Sequence, residues 1–118
     1  MEVVVIKAIP KKILIHSVTL ICEVEKDSWG KATKTIGIDL AKVRMEPSKK
    51  IIKDKDNNEI QLAAVLFYDC KNSRPAGVTF VVDNIIIFNG EAHRICAVEP
   101  LYDEKKLHHY EIGLVRNA

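Results

Sequence analysis

Several ingredients are scarce in this chain of 118 residues, and each scarcity removes a class of answer. The three cysteines, Cys22, Cys70 and Cys96, stand far apart with no paired spacing, which excludes a disulfide framework and a zinc knuckle. They read as reduced, small core residues. The five glycines are dispersed, so no loop of the phosphate-cradling kind exists. No window carries a 3.6-residue apolar stripe capped at both ends, which leaves room for at most a helical turn near residues 39–42. No run is long enough for a membrane span. The apolar start, Val3 to Ile6, is interrupted by Lys7 before any cleavage-site pattern, so neither a signal peptide nor a span is expected and the chain is expected to stay in the cytoplasm where it is made. A net charge of +2 gives little reason for tight phosphate binding over the whole surface, although a local basic patch is compatible with it.

What is present is a globular composition, 47% hydrophobic and 29% charged, in a length suited to one domain. The strongest local signal lies in the stretch from Asp83 to Pro100. Two β-branched and aromatic runs flank Asn89-Gly90, the dipeptide that supplies the two positive-φ residues of a type I′ turn, and together they predict a β-hairpin.

The rest of the chain follows the same period of two. A strand is expected from Ile13 to about Val24, with Ile13 and Ile15 on one face and Leu14, His16, Val18 and Leu20 on the other. Lys26 to Gly30 reads as a turn, with Trp29 expected to plug the end of the core. From Thr35, Ile36, Ile38 and Leu40 share one parity, but Val43 and Met45 continue on the other, so the phase slips at Ala41-Lys42. A bulge or a break between strands explains the slip. Ser48 to Asn58 is rich in lysine and aspartate around an isolated apolar pair, and reads as a long mobile loop or a hairpin extension. Strand character resumes from Glu59 to Cys70, then comes the turn-forming loop of residues 71–77, the apolar run Val78 to Val82, the organising hairpin, and a last strand from Leu107 to Val115 with Tyr110, Ile112 and Leu114 on one face.

These signals specify an all-β chain, a small antiparallel β-barrel of six to seven strands with a long charged loop and little helix. Residues 1–118 form one domain, with 1–8 as a candidate N-terminal arm and 48–58 as the mobile loop. Several strands are apolar on consecutive residues, Ala63 to Phe67 and Ile85 to Phe88 among them, and consecutive strand residues face opposite ways. One face fills the barrel. Either a neighbouring subunit covers the other, through strands carrying Val65, Phe67, Ile86 and Phe88, or the N-terminal segment or the long loop folds back over it.

Chemistry finds no foothold. His108 and His109 are adjacent, so on a strand they face opposite ways and do not suit a single metal, while His16 and His93 lack any ligand-spaced partner. Nothing resembles a nucleophile elbow, and Tyr102-Asp103 and His108 to Glu111 read as satisfied polar groups near a loop and a strand end. No catalytic residue, metal or cofactor is expected, and a small enzyme built on His108 or His109 is the third-ranked reading. The second-ranked reading is a nucleic-acid-binding OB-like barrel. Against it, the aromatics are one Trp, three Tyr and three Phe, none interleaved with lysines as a stacking surface would require. Lys49, Lys50, Lys53 and Lys55 can still approach phosphates without reading sequence.

A set of short stretches adds a different kind of evidence. Ile9-Pro10-Lys11 before Leu14-Ile15-His16, Trp29-Gly30, Val43-Arg44 with Glu46-Pro47-Ser48, Gln61 to Asp69, Phe88-Asn89-Gly90, and above all Val98-Glu99-Pro100-Leu101-Tyr102-Asp103 followed by Leu107-His108-His109-Tyr110-Glu111 resemble the minor capsid proteins of tailed phages and prophages of Gram-positive bacteria, which are similar to head-closure, or head-tail connector, proteins. The resemblance runs from about Ile9 to Val115. It implies a virion component assembled in the host cytoplasm, a β-barrel that forms a ring with copies of itself, contacts portal or adaptor and tail proteins, and surrounds packaged DNA without sequence preference. It implies no catalytic residue and no membrane partner. By position, the loop carrying Lys49, Lys50, Lys53 and Lys55 is the one that faces the DNA channel in such connectors. The Val3 to Ile6 start departs from the pattern and would suit pairing with a neighbour.

Overall fold

Asn89 and Gly90 both take positive φ, +50° and +77°. That twist matches the strands on either side, so β6 (Ile85–Phe88) turns directly into β7 (Glu91–Tyr102), with Phe88 opposite Glu91 and Ile85 opposite Arg94. The hairpin belongs to a computed structural model that describes residues 8–54 and 56–117. Around it lie β1 (His16–Lys26), β2 (Ala32–Pro47), β3 (Ile51–Lys53), β4 (Glu59–Gln61), β5 (Ala64–Asp69) and β8 (Leu107–Arg116). A 3₁₀ turn, Lys11–Ile13, precedes them, and no α-helix occurs among the described residues. The strand considered at Val3 to Ile6 and the side chain of Lys55 lie outside the described residues.

Six strands close into an antiparallel barrel in the order β1, β2, β5, β8, β7, β6. The seam is short: β6 meets β1 only at Thr19–Ile21 opposite Ile85–Ile87. The small antiparallel barrel expected from the sequence is therefore the fold. β3 and β4 pair only with each other, so the charged stretch after Pro47 is a hairpin extension standing off the barrel.

The period-two pattern places the core. Val18, Leu20, Leu40, Val43, Met45, Ala64, Leu66, Ile86, Ile95, Ile112 and Leu114 fill the interior, each fully buried aliphatic contributing about 1.5–3 kcal/mol. Tyr68, Phe80 and Tyr110 close one end edge to face, with Tyr68 and Phe80 centroids 5.3 Å apart and Phe80 and Tyr110 5.5 Å apart. The phase slip at Ala41-Lys42 is a bulge. Ser17 pairs with Ala41 and His16 with Val43, leaving Lys42 unpaired at φ +58°, and this extra residue returns Val43 and Met45 to the inside. A second bulge at Cys96 lets Ile95 and Val98 both turn toward the core.

The expected core plug is overturned. Trp29 does not plug the core but is 89% exposed, because β1 and β2 continue as a ribbon past Ile21, the last β1 residue paired with β6, and Trp29 sits at its tip. Phe80 is the plug instead. The apolar run from Val78 to Val82 lies outside the strands. It is an irregular segment that buries Phe80 and leaves Val81 and Val82 exposed.

Candidate functional site

The outer wall of β5 follows from alternation. Ala64, Leu66 and Tyr68 point inward, so Val65 and Phe67 point outward, where both are half-buried. Part of their cover is the chain itself. Residues 8–15 run across the wall, anchored by the buried Leu14 and by Asp69, and leave an apolar cleft of about 320 Å³ lined by Ile9, Ile13, Phe67, Arg44, Glu46 and His109. On the far side Leu62 lies over Gly113 and Ala97. A Cβ on Gly113 would come within 3.1 Å of Leu62 Cδ2, so a larger residue there would push the Leu62 side chain outward by a few tenths of an ångström. The chain thus folds back over part of its outer face, while Ile13, Ile15, Ile51, Val81 and Val82 stay exposed, Ile15 at 65%.

Of the residues expected at subunit contacts, Val65 and Phe67 are on the outside and two are not. Ile86 is wholly buried, because the type I′ turn fixes the register so that Ile85 and Ile87 take the outward positions. Phe88 has the same inward parity and stacks edge to face on His16 at the barrel end, 5.0 Å between centroids. His16 is held in turn by Met45 N–H, which donates to its Nδ1 at 2.9 Å.

Asp69 went unrecognised as a structural centre. Its carboxylate is buried, with Oδ1 accepting from Ile9 N–H (3.0 Å) and Oδ2 from Lys71 N–H (3.1 Å) and Asn72 N–H (2.8 Å). The carboxylate thus ties the N-terminal segment to the loop after β5, while Asp69 N–H donates to Ser73 Oγ, whose hydroxyl donates to Lys42 O and so links that loop to the bulge. The turn-forming run after it, Lys71 to Pro75, was the available signal, since a carboxylate ahead of such a run can cap its N–H groups.

The basic hairpin is built by local bonds. Asp54 Oδ1 accepts from Asp56 and Asn58 N–H, and Asn57 takes φ +64°, closing the turn between β3 and β4. Ser48 N–H to Ala63 O and Ala63 N–H to Leu114 O fix its base to the barrel. Lys49, Lys50 and Lys53 are exposed and make no ion pair among the described residues.

The histidines form a small polar group. His109 Nε2 lies 3.1 Å from Glu111 Oε2, and the rings of His108 and His109 meet through their Nδ1 atoms at 2.8 Å, despite the alternation expected to separate them. No cluster able to hold a metal ion occurs among the described residues. Burial pushes the Cys22, Cys70 and Cys96 thiols up, away from the thiolate form that a nucleophile needs. Tyr68, Phe80 and Tyr110 are committed to the barrel plug, and Trp29 and Tyr102 are the exposed large aromatics among the described residues, which is no platform for successive bases.

A family model described as minor capsid protein matches residues 10–114. No curated protein matches the chain.

Proposed function

Since the chain belongs to the minor capsid protein family and is a structural component of the virion, we propose that it is a head-closure subunit. In this reading, copies of the barrel form a ring that joins the portal region of the capsid to the tail in a phage of Gram-positive bacteria. The observation that carries it is the outer wall. A barrel that buries Ile86 and Ile112 completely still leaves Ile13, Ile15, Val81 and Val82 in water, an apolar surface that suits contact with neighbouring virion subunits. Val65, Phe67 and the residues around them are assigned to contacts between copies, while Ile86 and Phe88 support that wall from inside. The β3–β4 hairpin, with Lys49, Lys50, Lys53 and Lys55, is assigned to the channel face, where its lysines meet packaged DNA without reading its sequence. Portal or adaptor and tail proteins are the expected partners, and the host cytoplasm the place of assembly. No cofactor enters this function, and it requires no catalytic group.

Sedimentation velocity on the full chain tests the ring. Assembly into one closed species as concentration rises is the expected result. A strictly monomeric protein at its highest soluble concentration would overturn the ring, and strong salt-dependent retention on single-stranded DNA by that monomer would favour the nucleic-acid-binding barrel instead.

A further inference from the structure

The β1–β2 ribbon carries apolar side chains out of the barrel. Leu20 opposite Ile38 belongs to the core and its margin, Cys22 opposite Ile36 follows with Ile36 already exposed, and the turn beyond carries the exposed Trp29. The opposite parity carries Thr19, bonded to Asp39, then Ile21 and Glu23 opposite Thr35. From Ile21 to the tip the ribbon reaches roughly 20 Å beyond the barrel seam at about 3.3 Å per residue. An isolated two-stranded ribbon is marginally stable in water, and this one carries Ile36 and Trp29 into solvent.

The tip itself is firmly shaped. Asp27 Oδ1 accepts from Trp29 N–H and Lys31 N–H, both at 2.9 Å, and Gly30 takes φ +80°. This turn presents a bulky indole in a defined place.

An apolar cleft lies at the other end of β1. The cleft between Ile9, Ile13 and Phe67 opens beside the start of β1, whereas Trp29 follows its end, roughly 33 Å away along the ten residues from His16 to Lys26. The chain's long dimension is 55 Å. A chain cannot fill its own cleft with its own tip, but two copies can do so for each other in sequence. Glu46, paired with Arg44, lies at the cleft, and the exposed Lys31 stands two residues from Trp29.

We infer that the β1–β2 ribbon is a docking arm, and that Trp29 of one copy seats in the Ile9–Ile13–Phe67 cleft of the next. The contact joins unlike surfaces, so it propagates head to tail and closes when the rotation permits. This inference rests on the ring reading and supplies its contact.

Trp29 is the sole tryptophan, so its fluorescence reports the contact directly. In the full wild-type chain, emission should shift to the blue and acrylamide quenching should fall as sedimentation shows assembly. Trp29→Ala and, separately, Ile13→Asp should each keep the far-UV circular dichroism of the wild type and raise the concentration needed for assembly roughly 30-fold, the scale of an interface anchor. Mixed together they should form a dimer that grows no further, because one variant keeps the arm and the other the cleft. Wild-type protein that assembles while its tryptophan stays fully quenchable would overturn the arm and leave the ring standing. Assembly of Trp29→Ala at wild-type concentration would do the same, and wild-type chains that never associate would overturn both.

Discussion

Asp69 offers the sharpest test of how the fold is held. Replacing it with alanine strands three N–H donors, of Ile9, Lys71 and Asn72, in a site where the carboxylate was wholly buried. Hydrogen bonds to a charged acceptor are each worth about 1.5–3 kcal/mol, but the sum is too large, because the loop after β5 can open and admit water. About 3–5 kcal/mol is the expected loss, as for other buried charges removed from their partners. For a chain of this size that lowers the melting temperature by roughly 10–20 °C. Asp69→Asn should cost less, about 2–3 kcal/mol, since one oxygen survives while the amide group faces N–H donors in place of an acceptor. Urea unfolding of both variants, followed by circular dichroism, measures the losses. A loss below about 1 kcal/mol for the alanine variant would refute the claim that this carboxylate ties the N-terminal segment to the loop after β5.

Other outcomes follow from single features. Lys42→Gly should raise stability by about 0.5–1 kcal/mol by relieving the positive φ of the bulge, and Gly90→Ala should lower it by about 1 kcal/mol although space is open around it; thermal melts distinguish the signs. Backbone N–H groups of Lys105 and Lys106 hold the Asp103 carboxyl below its usual range, so the stability difference between wild type and Asp103→Ala should be complete at neutral pH and vanish as pH falls from about 4 through the lowered value, read by urea midpoints across that window. Deleting Lys49 to Asn58 should leave the barrel folded by circular dichroism and weaken salt-dependent retention on double-stranded DNA. Loss of the fold would mean that the hairpin is part of the core.

Much of the fold was legible because a period of two leaves little freedom. Asn89-Gly90 announced the turn, and the parity change after Leu40 announced the Lys42 bulge, since a buried side cannot change phase without an extra residue. The last strand was readable for the same reason: Tyr110, Ile112 and Leu114 share the inner face. Trp29 was misread because local pattern says how a ribbon pairs, not how far it outruns its barrel. Ile86 was misassigned because a run apolar at every position does not declare which parity faces inward; the turn register decides that. Asp69 was invisible because its partners are backbone groups, one of them 60 residues earlier in the chain. The outer wall was half legible. Its apolar character could be read, but its partial cover by Leu62 and residues 8–15 depends on close approach at Gly113 and on the Asp69 anchor.

The place of the protein in the particle is the central claim, and immunogold labelling of intact and disrupted virions addresses it most directly. Antibodies against the chain should mark the junction between head and tail, one cluster per particle, and remain with the capsid when tails are sheared away. Label spread over the capsid shell, or absent from mature particles, would contradict the account.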